Sequence, residues 1–481
     1  MEQGGMRKAV NDWGKLLARV AILGISTQIL LGIFWMLMNF TAYQEFGESR
    51  FLQKVQESLI CDEYTGILYP LLMRMFSGMG AVLPVPAHCL LYGLQILVAA
   101  GAAYYFLLGF SVVRKKAWLE KLWLTLALLT FPTAAQCHLA VLPISLASSL
   151  FLASAGVLLR AWQGEEEGAK TQEGMERRFC WNRPAARLAW FGLLWLLETL
   201  LMPEYYLFGA VLVLLYVGRM FSKSFYVVVI AAVFLSVIPL ISSLTVQEGA
   251  YGRMRNTLEA AALRRFAWEH LADDYPDWPR ELQEALSQED ITKMSAHPAQ
   301  IPWVLGNVVD APLGKEKARE IYGRLAKTVG KHRWQENAKE ILGDTIAYAL
   351  APAAQLFFLA GKGQDTYTGM NYEIMRAKTP RLTSVFVKYG DGCLVGSLFL
   401  GEVLAFFAFF EEDQRSKKIW LRKGLCCIAP LLVMILFYVF RAGGSMDEKN
   451  VLPVTAAWTT CCLLVICKTM EEKKQKGERG E

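Results

Sequence analysis

Two adjacent carboxylates, Asp62 and Glu63, mark the stretch of this sequence best suited to chemistry. They follow the first long apolar run and precede Tyr69 and Pro70 in the segment CDEYTGILYP. An ionised carboxylate can take a proton from a hydroxyl group and so act as a general base. If the first apolar run carries the chain outward, the pair lies at the outer membrane surface, where a lipid-linked substrate could reach it. The alternative is that both acids are solvated groups in a loop.

The segment after the acids, YTGILYPLLMRMF at 64–76, is amphipathic and predicts a helix at the membrane interface. Such a helix would hold Asp62 and Glu63 near the bilayer surface rather than in open water. Tyr64, the next residue along the chain, is then a candidate substrate contact.

Three further polar residues are expected at the same level of the membrane. Glu198 lies inside the apolar run FGLLWLLETLLMPEYY, and an ionisable group there costs on the order of 2.5–3.5 kcal/mol at the bilayer centre, so we expect it to face a polar cavity. Its alternative is a buried acid paired with a neighbouring helix. Glu204 follows at the outer end of the same run, and His138 lies in a predicted short outer turn, FPTAAQCHLAVLP.

The elements that must position these residues are transmembrane helices. About 54% of the residues are apolar, and they fall into runs long enough to cross a bilayer, which takes about 20 residues per helix. The sequence predicts an all-α polytopic membrane protein of about ten or eleven transmembrane helices. The runs are 15–40, 84–112, 120–133, 140–160, 187–202, 204–218, 224–243, 343–361, 389–410, 424–441 and 451–468.

Lys and Arg in the short connections predict the orientation, because such connections stay cytoplasmic. Basic residues cluster before the first run, after the second, in 161–186, in 411–423 and in the tail. Both termini and 411–423 are therefore predicted to be cytoplasmic. The outer segments are then 41–83, 131–139, 202–205 and 244–342.

An even count of crossings requires that 343–361 does not cross fully. Pro352 lies in its middle and Gly361 and Gly363 follow, as in a re-entrant or interfacial helix whose broken backbone is satisfied by protein or water. A true crossing, with an odd number of helices, is the alternative.

The chain divides into three predicted regions: 1–243 with the first outer loop, 244–342, and 343–481 with the basic tail. Segment 244–342 carries apolar residues three or four apart, punctuated by prolines, and predicts an extracytoplasmic helical insertion.

Several classes of protein are disfavoured. The ten cysteines lie mostly within the apolar runs, none lies in 244–342, and no C-x-x-C pair occurs, which argues against a disulfide scaffold or a structural zinc site. The net charge of +6 is concentrated in the cytoplasmic connections rather than in a basic patch with aromatics, which argues against nucleic-acid binding. The first run is too long for a cleavable signal peptide and is read as a retained anchor.

The acidic pair followed by a Tyr-Pro-containing interfacial helix resembles the first outer loop of the GT-C superfamily of membrane glycosyltransferases, especially the protein O-mannosyltransferase and aminoarabinose transferase branch. That superfamily also tends to carry a basic residue and Leu-Pro before its final helix, and this chain has KNVLP at 449–453. Lys449 stands where Arg is more usual, and no Tyr accompanies it.

The resemblance implies inverting transfer of a sugar from a polyprenyl-phosphate carrier to a glycan, lipid or protein acceptor at the outer face of the plasma membrane. Asp62 would be the base and Glu63 a helper or substrate anchor. No cofactor is certain, and a divalent metal is left open. Cations would bind the departing phosphate, and the candidates are Arg253, Arg255, Arg441 and Lys449.

Each of these cations has a simpler alternative, which is to extend from the interface toward water. Arg253 and Arg255 are two residues apart and would not share one helix face, so at most one of them would point at the site.

Two other functions remain open from the sequence. A transporter or flippase for a lipid-linked saccharide would use Glu198 and His138 along a polar path. An O-antigen polymerase or ligase type of enzyme also has a large outer loop but relies on Arg and His rather than on an acidic pair.

Overall fold

The computed structural model of the chain describes only part of its 481 residues. The described residues are 2–42, 66–109, 118–168, 184–220, 225–245, 275–296, 304–305, 308–309, 311–314, 316–318, 320–325, 327, 334–335, 338–339, 341–343, 363–364, 371–372, 380–411, 432–437 and 452–478.

Helices account for nearly all regular structure in these residues. In chain order, the α-helices whose bounds are described are α1 (Glu2–Asn39), α2 (Leu68–Val82), α3 (Ala87–Leu108), α4 (Trp118–Thr130), α5 (Pro132–His138), α6 (Pro143–Gly168), α7 (Pro184–Leu201), α8 (Tyr205–Met220), α9 (Phe225–Thr245), α10 (Arg280–Ala285), α11 (Gln288–Ala296), α12 (Ala311–Leu313), α13 (Pro380–Glu411) and α14 (Leu452–Glu478). A single antiparallel ladder pairs β1 (Gly363–Gln364) with β2 (Asn371–Tyr372).

Four stretches among the described residues are long and apolar enough to cross a membrane: Trp13–Asn39, Ala87–Leu108, Pro143–Arg160 and Arg381–Phe406. Shorter apolar helices occur at Tyr205–Val217, Val228–Ile241 and Thr455–Lys468. The helical fold and the presence of membrane-length helices are thus confirmed, while the count of about ten or eleven crossings stays a prediction.

Helix α6 is the centre of the bundle. In its membrane-length apolar stretch, 83% of the residues are buried, against 33% for the stretch in α1 and 28% for the stretch in α13. It packs mainly between α3 and α7. Polar side chains buried in such a helix need hydrogen-bond partners from neighbouring helices or from carbonyls of their own helix.

Helices α1 and α13 run antiparallel along the side of the bundle. Contacts join the start of α1 to the end of α13 and proceed in opposite directions along the two helices. They are Gly14 with Leu404, Gly24 with Cys393, and the indole of Trp35 with the hydroxyl of Thr383. The N-terminal part of α1 and the C-terminal end of α13 therefore lie at the same end of the bundle, as expected if the N-terminus and 411–423 share one side of the membrane.

One segment differs from its predicted form. The run 120–133 and the outer turn 131–139 become helix α4, which ends at Thr130, and the short helix α5. Phe131 is extended, and Pro132 begins α5 at a position where its missing N–H costs nothing. Every residue from 131 to 142 is buried, so this segment is a packed helix rather than an exposed turn.

Part of the predicted insertion forms a second hydrophobic cluster. Trp278, Leu282, Ile291, Tyr322 and Leu325 are among its buried members. Its members lie between 278 and 325, and the described residues in that range are mainly helical. Residues 250–274 of the predicted helical insertion and most of 343–361 lie outside the described residues.

Two surface contacts shape this second cluster. Arg324 Nη2 donates to Glu281 Oε1 at 2.8 Å, and this hydrogen bond lowers the pKa of Glu281. At the start of α11, the Ser287 hydroxyl donates to Asp290 Oδ2 at 2.6 Å and the Ser287 N–H donates at 3.0 Å. The hydroxyl bond is the main reason that the pKa of Asp290 is lowered.

Candidate functional site

A backbone contact joins Gly66, two residues before α2, to the end of α7. The Gly66 N–H donates to the Leu201 carbonyl at 2.9 Å. A Cβ at position 66 would overlap the carbonyl oxygen of Leu200, so only glycine allows this approach. We call this side of the bundle the Gly66 end; it contains the C-terminal ends of α1 and α7 and the N-terminal ends of α3 and α8.

Buried side chains fix α2 at the Gly66 end. The Tyr69 hydroxyl donates to Gln95 Oε1 at 2.9 Å, and both residues are fully buried. The Gln95 amide in turn lies 3.3, 2.9 and 2.9 Å from the carbonyl oxygens of Cys137, His138 and Ala140. One glutamine of α3 therefore ties the helix that follows the acidic pair to the connection between α5 and α6.

His138 lies in the protein core. Its Nδ1 is 2.8 Å from the hydroxyl of Ser145 on α6, and the side chain is only 4% exposed. The sequence reading placed it at the outer surface, but α5 folds inward and packs it against α6. In this arrangement His138 helps to hold the α5–α6 connection.

Glu198 is the most deeply buried of the candidate acids. It is 0% exposed, and its Oε1 accepts a hydrogen bond from the Ser154 hydroxyl of α6. Its Oε2 has no hydrogen-bond partner within the described part of the chain. The neighbouring Thr199 hydroxyl does not help, since it donates to the Trp195 carbonyl of its own helix at 2.8 Å.

The hydroxyls of α6 serve three separate polar partners. Ser145 contacts His138, Ser148 lies 3.1 Å from the Tyr205 hydroxyl, and Ser154 contacts Glu198. No hydrogen bond among the described residues joins these three pairs to one another. Ser145 and Ser154 are nine residues apart, which corresponds to a rise of about 14 Å along an α-helix and to opposite helix faces. His138 and Glu198 therefore do not form one hydrogen-bonded path.

Glu204 lies at the Gly66 end. It is half-buried in the turn between α7 and α8, three residues after Leu201. Its carbonyl accepts the Leu207 N–H at 3.1 Å, which starts α8. Glu204 and Glu198 each lie three residues from Leu201, Glu204 in the turn after α7 and Glu198 one turn earlier on that helix.

The remaining predicted site residues lie outside the described residues. They are Asp62, Glu63, Tyr64, Arg253, Arg255, Arg441 and Lys449.

Three charged residues in the described helices were not among the predicted site residues. Arg74 is exposed on α2, on the same face as Leu71, Met75, Met79 and Val82.

Two acids lie inside α13. Glu402 accepts a hydrogen bond of 2.7 Å from the Trp458 indole, and Asp391 Oδ1 is buried without a hydrogen-bond partner in the described regions. The signal for both was present, since an ionisable residue within an apolar run is a candidate functional group by itself.

Metal binding has no support from the described residues, where no group of three or more His, Cys, Asp or Glu side chains could hold an ion. Comparisons of the chain with protein-family models, with curated proteins and with solved structures return no match. The functional argument therefore depends on the residues themselves.

Proposed function

We propose that this protein is an integral membrane glycosyltransferase of GT-C type. It moves a sugar from a polyprenyl-phosphate donor to an acceptor at the outer face of the plasma membrane. The observation that carries the proposal is the hydrogen bond between Gly66 and Leu201, because it joins the acid-bearing loop to a helix end that carries further acids.

Covalent geometry limits how far the acidic pair can lie from this contact. Glu63 is three Cα–Cα steps before Gly66, and consecutive Cα atoms are 3.80 Å apart, so the two Cα atoms are at most about 11 Å apart. Asp62 is one residue further. The acidic pair and Glu204 are therefore attached to the same small region of the bundle, with Tyr69 anchored directly behind the loop.

The reaction needs one base and a group to bind phosphate. Asp62 takes the proton of the acceptor hydroxyl while the oxygen of that hydroxyl attacks the anomeric carbon of the donor sugar. The bond from that carbon to the phosphate oxygen breaks, and the lipid phosphate leaves with the electron pair and needs no proton. A single general base of this kind contributes about 10²–10⁴-fold.

Cations stabilise the departing phosphate by charge-assisted hydrogen bonds. We add Arg74 to the candidates Arg253, Arg255, Arg441 and Lys449. Its guanidinium is exposed beside an apolar stripe of α2, the helix that begins six residues after Asp62. This position suits an anionic group at the end of a lipid chain.

The test begins with the donor. Mass spectrometry of a deletion strain identifies the lipid-linked sugar that accumulates, and that compound is the probe for purified protein. Asp62→Asn should lower sugar transfer by about two to four orders of magnitude. Donor binding by the same preparation should survive, because cations hold the phosphate.

Asp277→Asn, at an exposed acid of the second hydrophobic cluster, is the matched control and should keep full transfer. Transfer by Asp62→Asn within about threefold of the parent would remove Asp62 from the mechanism. If Glu63→Gln were equally silent, the glycosyltransferase proposal would lose its main support.

A transporter or flippase for a lipid-linked saccharide is the second candidate. It is favoured by two buried carboxyl oxygens, Glu198 Oε2 and Asp391 Oδ1, that have no hydrogen-bond partner among the described residues. This function predicts the opposite mutant pattern: Glu198→Gln would stop movement of the lipid-linked sugar, and Asp62→Asn would leave it unchanged.

A further inference from the structure

One face of α13 carries two opposite charges on the side that turns away from the bundle. Helix α13 packs against α1 and α14, and only 28% of its membrane-length stretch is buried. On the opposite side Lys388, Val395 and Phe399 are exposed, the last two to 40% and 69%. Asp391 is half-buried at the edge of this surface. The four residues are three or four positions apart and so line one side of the helix, which we call the Lys388 face.

Lys388 and Asp391 lie at the depth of the hydrocarbon core. The stretch Arg381–Phe406 has 26 residues and rises about 38 Å, more than the roughly 30 Å thickness of the core. When this stretch is centred in the membrane, the Cα of Lys388 lies about 7 Å inside the core and that of Asp391 about 4 Å from the midplane. A lysine can extend its amine from that depth toward the headgroups, but the short side chain of Asp391 cannot reach them. The aspartate therefore needs a partner inside the membrane.

Neither charge is paired within the chain. Lys388 and Asp391 are three residues apart, a spacing that allows an ion pair on one helix. No ion pair joins the two in the structure, and Asp391 Oδ1 is buried with no hydrogen-bond partner among the described residues. Ionisable residues within membrane helices almost always pair with one another or with backbone carbonyls. Both charges are thus available to a partner that packs against the Lys388 face.

A second copy of the chain supplies the complementary charges at the right depth. Both copies insert with the same orientation, so a two-fold axis perpendicular to the membrane places equivalent residues at one level. Lys388 of one copy then faces Asp391 of the other across a height difference of about 4.5 Å, which a lysine side chain spans. The reciprocal pair forms at the same time. An unrelated helix would need an acid and a base at both positions, whereas the symmetry provides them.

The Lys388 face also has room for close packing. A Cβ added to Gly392 or to Gly396 would meet no atom within 4 Å. Small residues four positions apart allow the backbones of two membrane helices to approach closely. The glycines supply the space, and the two charges specify the partner.

We propose that the Lys388 face is the interface of a homodimer in the membrane, in which Lys388 of each copy pairs with Asp391 of the other. This interface goes beyond the proposed transfer reaction and does not depend on it, since the Gly66–Leu201 contact uses other parts of the chain.

The experiment tests whether two copies associate through these charges. Two full-length copies with different affinity tags are coexpressed, extracted in mild detergent and assayed for copurification. Lys388→Asp gives a copy with two acids on the face, and Asp391→Lys gives a copy with two lysines. Parent copies should copurify. Each variant should copurify with itself about tenfold less well, equivalent to about 1.4 kcal/mol.

The mixed pair is the decisive arm. When one copy carries Lys388→Asp and the other carries Asp391→Lys, each acid again faces a lysine, so copurification should return to the parent level. A pair formed within one chain would stay broken in both variants and would show no such recovery. Lys327→Asp, at an exposed lysine outside the membrane-length helices, is the matched control for net charge and should copurify like the parent. Parent copies that do not copurify would overturn the proposal, as would a mixed pair no better than the self-pairs.

Cross-linking tests the same face if the charge variants do not fold. In a cysteine-free background, Val395→Cys should give a disulfide-linked dimer in the membrane under mild oxidation, because Val395 lies one turn from Asp391 on the Lys388 face. Val233→Cys, at an exposed valine of α9, is the control and should stay monomeric. Absence of the cross-link at Val395→Cys, or equal cross-linking of both variants, would refute the interface.

Discussion

Removal of the Ser154 hydroxyl should destabilise the bundle specifically through Glu198. Hydrogen bonds between membrane helices average about 0.6 kcal/mol and reach about 1.7. Glu198 is 0% exposed and its other oxygen has no partner among the described residues, so loss of the hydroxyl leaves the whole carboxyl group without a bond. A buried group left in that state costs about 1–3 kcal/mol. We therefore expect Ser154→Ala to lower the unfolding free energy by about 1–2 kcal/mol.

Ser149→Ala is the matched control on the same helix. Ser149 is also buried, but its hydroxyl donates to the Ser145 carbonyl of its own helix at 2.7 Å. Its loss should cost only a few tenths of a kcal/mol, because no bond between helices is broken.

The assay is reversible unfolding of purified protein in mixed micelles with increasing SDS, followed by far-ultraviolet circular dichroism. A double-mutant cycle with Glu198→Leu isolates the pair, and the coupling free energy should be about 0.6–1.7 kcal/mol. A coupling near zero, or equal losses in Ser154→Ala and Ser149→Ala, would refute the reasoning.

Three further predictions concern the rest of the chain. In a cysteine-free background, a membrane-impermeant reagent should label Ser295→Cys from outside and Ser416→Cys only after permeabilisation; external labelling of the second would contradict the topology. Gln95→Leu removes several buried bonds and should cost about 3 kcal/mol, whereas Gln28→Leu, which loses one bond of 3.4 Å, should cost much less in the same SDS assay. Because its folded pKa is lowered, Asp290 stabilises α11 above its ordinary pKa of 3.8, and this contribution is lost as pH falls below that value; protection of the 288–296 amides, measured against their intrinsic exchange rate at each pH, should then fall, and Asp290→Asn should abolish this pH dependence.

The sequence predicted the helices better than the polar contacts between them. Long apolar runs identify α1, α3 and α6 because a membrane requires about 20 apolar residues per crossing. The break at Phe131 and Pro132 was missed, although proline at the first position of a helix is a common start signal. An apolar run that contains such a proline can be two helices rather than one.

The polar contacts could not be predicted from the sequence. The composition shows that Gln95 and Glu198 are polar groups within apolar runs, but it does not show which distant residue will face them. Tyr69, the partner of Gln95, is 26 residues away along the chain, and Ser154, the partner of Glu198, is 44 residues away. Only the packing of α3 and α7 against their neighbours brings each pair together. The glycine at position 66 is similar, since its need for close approach arises from the tertiary contact with Leu200.

Gln95 and Glu198 differ in how far a contribution to stability explains their burial. Gln95 uses both its oxygen and its amide, so its burial is compensated by the bonds that fix α2 and α5. Glu198 has one hydroxyl partner and a second oxygen without one among the described residues. A well-packed apolar residue at such a site is often equal or better for stability.

Structural need therefore accounts for Gln95 but not for the acid at 198, which favours a role for Glu198 in the chemistry or transport of a polar substrate. The expected consequence is that Glu198→Gln reduces that activity while the amount of folded protein in the membrane stays nearly unchanged. A loss of folded protein as large as the loss of activity, measured on the same membranes, would return Glu198 to a purely structural role.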